Sequence, residues 1–108
     1  SIMMKRKAIH RQVNKYLRQP IATLDLHGCS RREAEEELIH FFNYWLKQGG
    51  GVKLLIITGQ GWHSPDGQGV IKPFTIKWLE ENGYHHHLAK PQYGGPGALE
   101  VDLPVNKK

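Results

Sequence analysis

The chain is 108 residues long and 39% hydrophobic, with three Trp, four Tyr and three Phe. That is enough for one packed core and too little for two, and it excludes wholesale disorder. A single cysteine, Cys29, excludes an internal disulfide framework and fits a reducing, cytoplasmic compartment. No apolar run approaches bilayer-spanning length or forms a secretory signal, so no membrane partner is expected.

The net charge of +5 is unevenly spread. Residues 1–24 carry Lys5, Arg6, Lys7, Arg11, Lys15 and Arg18 with no acid, whereas residues 25–108 hold nine bases and ten acids. Lys5, Arg6, Lys7 and Arg11 are therefore candidate nucleic-acid contacts, because each phosphate neutralised releases counterions. A solvated helix face accounts for the same charges equally well. Ile9, Val13, Tyr16 and Leu17 recur at helical spacing, so residues 1–20 read as a basic amphipathic arm that Gln19-Pro20 ends. Its apolar stripe packs by default on its own domain, with the ribosome or another protein partner as the alternative. Residues 21–104 read as the domain and 105–108 as a tail.

Ile21 to His27 reads as a first strand, with Leu24 and Leu26 on one face and Asp25 and His27 on the other. Gly28 ends it. Ser30 and Glu33 then form a capping box, and Ala34, Leu38, Phe41, Phe42, Trp45 and Leu46 mark the core face of a long helix. Gly49-Gly50-Gly51 stops that helix. Lys53 to Thr58 is nearly continuous in apolar residues, as a buried parallel strand would be.

A glycine-rich loop from Gly59 to Gly69 follows. Val70 to Asn82 reads as a second helix, with Pro73 in its first turn, Gly83 as its stop and Ile71, Phe74, Trp78 and Leu79 as its apolar face. His85 to Lys90 is a short third strand, and Tyr93 to Gly97 a turn. Ala98 to Leu103 is a final alternating strand, close enough to the third to pair as a hairpin. The expected fold is α/β: a two-layer sandwich, β-α-β-α-β-β, with a mixed four-stranded sheet and both helices on one face. No dimer surface stands out, so a monomer is expected.

Parallel strands joined through a helix end on the same sheet edge, which sets His27-Gly28 beside Gly59-Gly61. Asp25 can fix which imidazole nitrogen of His27 carries the proton, leaving the other to act on substrate. Gly59 and Gly61 let backbone N–H groups approach a phosphate. Trp62 is a candidate base-stacking residue, a contact typically of about 1–3 kcal/mol, against the alternative of a loop aromatic packed on its own domain. His63 is a candidate second proton-transfer group or phosphate donor, against the alternative of an exposed histidine. Cys29 reads as a small residue packed under a turn rather than a nucleophile. His85 and His87 share a strand face, but no cysteine or third spaced ligand joins them, so no structural zinc site is assigned. These residues alone define a phosphate-binding α/β domain.

Leu24-Asp25-Leu26-His27-Gly28, Thr58-Gly59-Gln60-Gly61 and Gly94-Gly95-Pro96-Gly97-Ala98, in that order and spacing, resemble the three signatures of the Smr (small MutS-related) domain. The stretch from Trp62-His63-Ser64 to Gly69-Val70 fits as well, and the likeness covers about residues 21–103. It implies a sandwich like the C-terminal domain of translation initiation factor three, nucleic-acid binding and endonuclease activity on DNA or RNA. The family's Asp-x-His falls on Asp25 and His27, and its glycine motif on Gly59 and Gly61. Thr58 stands where many members have His, so a second acid or base there would be missing. The GxxxxGK[ST] loop of a MutS-like ATPase is absent from these residues, and the chain resembles a short stand-alone form.

The resulting expectation is an endonuclease cleaving RNA or nicking single-stranded or branched DNA, with Asp25 and His27 catalytic. On RNA the 2′-hydroxyl supplies the nucleophile and no cofactor is needed. On DNA an external water and a divalent ion, Mg²⁺ or Mn²⁺, would be required. The alternatives are a binding module without catalysis and an adaptor that docks through the arm.

Overall fold

The structure is a computed structural model, and it describes residues 19–60 and 69–106. Six elements follow in chain order: β1 (Ala22–Asp25), α1 (Arg31–Lys47), β2 (Gly50–Ile57), α2 (Ile71–Glu81), β3 (His85–Leu88) and β4 (Ala98–Val105). Two short 3-10 turns, Pro91–Tyr93 and Gly95–Gly97, join the last two strands. The sheet order is β1-β2-β4-β3, with β1 parallel to β2 and both other pairings antiparallel. This is the mixed four-stranded β-α-β-α-β-β arrangement expected from the sequence.

Helix α1 starts where its sequence says it should. Ser30 Oγ accepts from the Glu33 N–H at 3.1 Å, and Glu33 Oε1 accepts from the Ser30 N–H at 2.8 Å, closing the capping box. Such a cap typically stabilises by about 1 kcal/mol. Ala34, Leu38 and Phe42 are buried, with Phe41, Trp45 and Leu46 packed around them. The helix ends at Lys47 ahead of the three glycines. Gly50 takes φ +62°, and a side chain there would meet the Pro104 carbonyl, so only glycine lets β2 begin against β4.

Strand β2 opens three residues earlier than its apolar run suggests. Gly50 pairs with Val105 and Val52 with Leu103, so backbone pairing, not hydrophobicity, sets its start and carries β4 past Leu103. Strand β1 is shorter than expected: it ends at Asp25, and His27 and Gly28 form a turn. The cause is local. The Asp25 carboxylate accepts the His27 backbone N–H at 3.1 Å, which bends the chain out of the ladder, while the Leu26 N–H still reaches the Ile57 carbonyl at 2.7 Å. Strand β3 likewise stops at Leu88, short of the expected Lys90.

Both helices cover one face of the sheet, where Leu54 and Ile56 of β2 meet Leu99, Val101 and Leu103 of β4. The Phe42 ring lies 5.1 Å from Trp78 and 4.7 Å from Tyr84, tying α1 to α2 and to the start of β3. On the other face, Leu55, Ala89 and Ala98 form a smaller cluster with Ile57 and Tyr93. Among the described residues no helix is long and apolar enough to cross a membrane.

Given these pairings, the C-terminal ends of β1, β2 and β3, the start of β4 and the first turns of both helices share one end of the sheet. All three motifs gather there.

Candidate functional site

At that end the Asp25 Oδ1 lies 2.7 Å from the His27 Nδ1, and it also accepts the His27 backbone N–H. The two side chains meet because the chain turns after Asp25, not because they alternate along one strand. The geometry still delivers the pairing the spacing suggested. The imidazole hydrogen bond, with help from the backbone N–H, holds the Asp25 carboxyl below its ordinary value of 3.8, against a smaller opposing effect of burial. With Nδ1 committed to the carboxylate, Nε2 is the nitrogen left for a substrate. The His27 side chain is 70% exposed, so its ring is open to solvent.

Glycine motif and third motif are bonded to each other beneath this pair. The Thr58 and Gly59 N–H groups both donate to the Gly97 carbonyl, at 2.9 and 3.0 Å. Gly59 has φ +72°, and a Cβ built on it would stand 3.5 Å from the His27 Cβ. The second motif is therefore the floor against which His27 rests. Thr58 is buried, and its hydroxyl is shared between the Gly59 and Gly97 carbonyls at 3.0 and 3.3 Å. It ties two turns together and presents nothing acidic or basic to the surface.

Cys29 is half-buried against the core, and burial, followed by the charges of Glu33, Glu37 and Asp25, raises its thiol. It stays protonated, as a packing residue does. His40 and Asn43 are exposed on α1. His85 and His87 pair in register with Asp102 and Glu100, while His86 Nε2 lies 3.7 Å from Glu80. Among the described residues no three His, Cys, Asp or Glu side chains stand close enough to hold a metal. Gly61, Trp62 and His63, and the arm residues Lys5, Arg6, Lys7 and Arg11, lie outside the described residues.

Sequence reading passed over two groups. Lys53 and Glu100 are sealed from water as an ion pair at 3.2 Å; the only signal was polar residues inside strongly apolar strands. Lys72, in the first turn of α2, donates to the Pro96 carbonyl at 2.8 Å and so joins α2 to the third motif. A lysine just after the glycine loop was the available hint.

A two-layer α/β sandwich with a carboxylate–imidazole pair over glycine turns at the carboxyl edge of its sheet defines the class. The Smr domain family model matches residues 24–104, and the chain belongs to that family. Human NEDD4-binding protein 2 is 39% identical over 88 residues, a match that takes in 78% of this chain and only 5% of that protein. The solution structure of the SMR domain of NEDD4-binding protein 2 aligns with TM-score 0.62 at 37% identity, covering 80% of this chain and 88% of that one. YdaL, a stand-alone small MutS-related protein from Escherichia coli, aligns with TM-score 0.65 at 26% identity, over 75% of this chain and 63% of that one. The Smr domain of Thermus thermophilus MutS2 shares the fold, with TM-score 0.63 at 21% identity, over 78% and 99% of the two chains.

Proposed function

We propose that this chain is a nucleic-acid-binding endonuclease in which His27 moves the proton and Asp25 orients it. The observation that carries this is the 2.7 Å bond from Asp25 to His27 Nδ1 on an exposed edge, directly over a glycine turn. Membership of the Smr family supports the same substrate class.

On RNA, Nε2 of His27 takes the proton of a 2′-hydroxyl. The 2′-oxygen then bonds to phosphorus as the bond to the 5′-oxygen breaks, leaving a cyclic phosphate, and the 5′-oxygen takes up a proton to leave as a hydroxyl. Asp25 keeps the imidazole in the tautomer with Nε2 free and stabilises the imidazolium that forms. Gly59 supplies the turn on which His27 rests; its N–H, expected to face a phosphate, is committed instead to the Gly97 carbonyl.

DNA offers no 2′-hydroxyl, so that route would need a water and a divalent ion such as Mg²⁺ or Mn²⁺. Mg²⁺ commonly takes one or two carboxylates besides phosphate oxygens. Among the described residues Asp25 is a single carboxylate whose Oδ1 already serves His27, so that donor set fits such an ion poorly. The RNA route is favoured on that chemistry.

A second reading has its own observation. Asp25 also accepts the His27 backbone N–H, so the pair can be a brace for its own turn in a binding module that does not cleave. The deciding experiment incubates wild type and the Asp25→Ala/His27→Ala double variant with end-labelled structured RNA and circular DNA, in Mg²⁺ or EDTA. Cleavage of RNA by wild type alone, in EDTA, is expected. Cleavage of DNA only with Mg²⁺ would move the assignment to a metal-dependent nickase. Equal trace cleavage by both proteins would leave the binding module.

A further inference from the structure

We propose that Lys72 is a phosphate-binding residue of this site, holding the substrate backbone beside the phosphodiester that His27 acts on. The inference rests on the nucleic-acid reading above and names a contact that reading does not include.

Its basis is an unbroken run of contacts. Lys72 Nζ donates to the Pro96 carbonyl at 2.8 Å. The next residue, Gly97, accepts the N–H groups of Thr58 and Gly59 through its carbonyl. Gly59 in turn lies under His27. One ammonium is thus bonded to the turns that carry the Asp25–His27 pair, three contacts along from it.

What holds Lys72 there is weak for a cation. Among the described residues it makes no ion pair, whereas Lys53 pairs with Glu100, and Lys77 on the same helix lies 4.0 Å from Glu81. A neutral carbonyl uses one of the three N–H donors of the ammonium and leaves two. Helix stability does not account for the choice either, because a positive charge in the first turn opposes the helix dipole. A half-exposed lysine set against the dipole, held at one donor and with no ion pair among the described residues, is arranged to receive an anion. The anion that the neighbouring pair requires is a phosphodiester.

The test measures affinity of the whole chain for a fluorescent 2′-O-methyl RNA strand, which lacks the attacking hydroxyl, across a KCl series. Each phosphate contact to a single strand contributes about 0.7 to the slope of log affinity against log salt. Lys72→Gln is expected to lower the slope by about that amount and to weaken binding several-fold at low salt, and Lys72→Arg to restore both. Lys47→Gln, in the last turn of α1 at the far end of the sheet, is expected to leave the slope unchanged. An unchanged slope in Lys72→Gln, with wild type still bound in a salt-dependent manner, overturns the proposal. So does an equal fall in Lys47→Gln, which would make the contacts diffuse. If wild type shows no salt-dependent binding, the nucleic-acid reading itself fails and this inference goes with it. Loss of the Pro96 bond alone would lower the melting temperature and leave the slope intact.

Discussion

Lys53 Nζ lies 3.2 Å from Glu100 Oε1 across two central strands, and neither side chain is more than 2% exposed. The second oxygen of Glu100 accepts the Lys90 backbone N–H at 3.0 Å, while Oε1 is held by charge without hydrogen-bond alignment. Removing one partner strands a buried charge, which typically costs about 3–5 kcal/mol. Lys53→Met is therefore expected to be strongly destabilising in urea unfolding. The double variant Lys53→Met/Glu100→Leu is expected to recover most of that loss, short of about 1 kcal/mol for the lost Lys90 bond. A double variant as unstable as the single would mean that the pair contributes more than it costs in desolvation.

The same carboxyl sets the acid limb of stability. Burial alone would raise Glu100. The Lys90 N–H and the Lys53 ammonium together outweigh it, with His87 adding a little, and hold the group below its ordinary value of 4.5. Asp25 is also lowered. A group that is more acidic when folded adds stability above its unfolded pKa and loses it as pH falls through the folded value. Stability is thus expected to be level near pH 6 and to fall below about pH 4. Glu100→Gln is expected to flatten that fall. Asp25→Asn is expected to do so only slightly, because its side chain is half exposed and solvent screens the interaction. Urea midpoints measured between neutral pH and about pH 2 check both.

Much of this was readable from residue order. The Ser30–Glu33 box, the Ala34–Leu38–Phe42 stripe and the glycine stop fixed α1, since caps and periodicity are local signals. The convergence of Asp25, His27 and Gly59 followed from parallel strands ending on one edge. What stayed hidden depends on partners distant in sequence. Gly50–Val52 joins β2 only because Val105 and Leu103 pair with it. His27 leaves the strand because the Asp25 carboxylate holds its backbone N–H. Glu100 alternates like a solvent-facing residue and is fully buried, because alternation assigns a side chain to a face and says nothing of what seals that face.

Thr58 offers a sharp contrast between structural and chemical roles. Its hydroxyl bridges two carbonyls inside the second and third motifs, and the residue is buried. Thr58→Val keeps the shape and removes the donor, so a loss of about 1 kcal/mol in stability is expected. If the chain cleaves RNA as proposed, the pH profile of the rate is expected to stay as in wild type. A profile that loses a limb would give the hydroxyl a part in proton transfer that its burial argues against.

If the chain cleaves RNA as proposed, His27 and Asp25 separate catalysis from folding. His27 is largely exposed, so His27→Ala is expected to leave the urea midpoint nearly unchanged while cleavage falls by about 10²–10⁴, the usual worth of a positioned general base. Asp25→Asn keeps the shape, but its amide can offer Nδ1 a donor as readily as an acceptor, so the tautomer with Nε2 free loses its preference. A smaller fall than in His27→Ala is expected, since the imidazole itself remains. Rates of end-labelled RNA cleavage measured beside urea curves for the same preparations check the pair. Loss of activity that tracked loss of stability in both variants would reduce Asp25–His27 to a brace for the Gly28 turn.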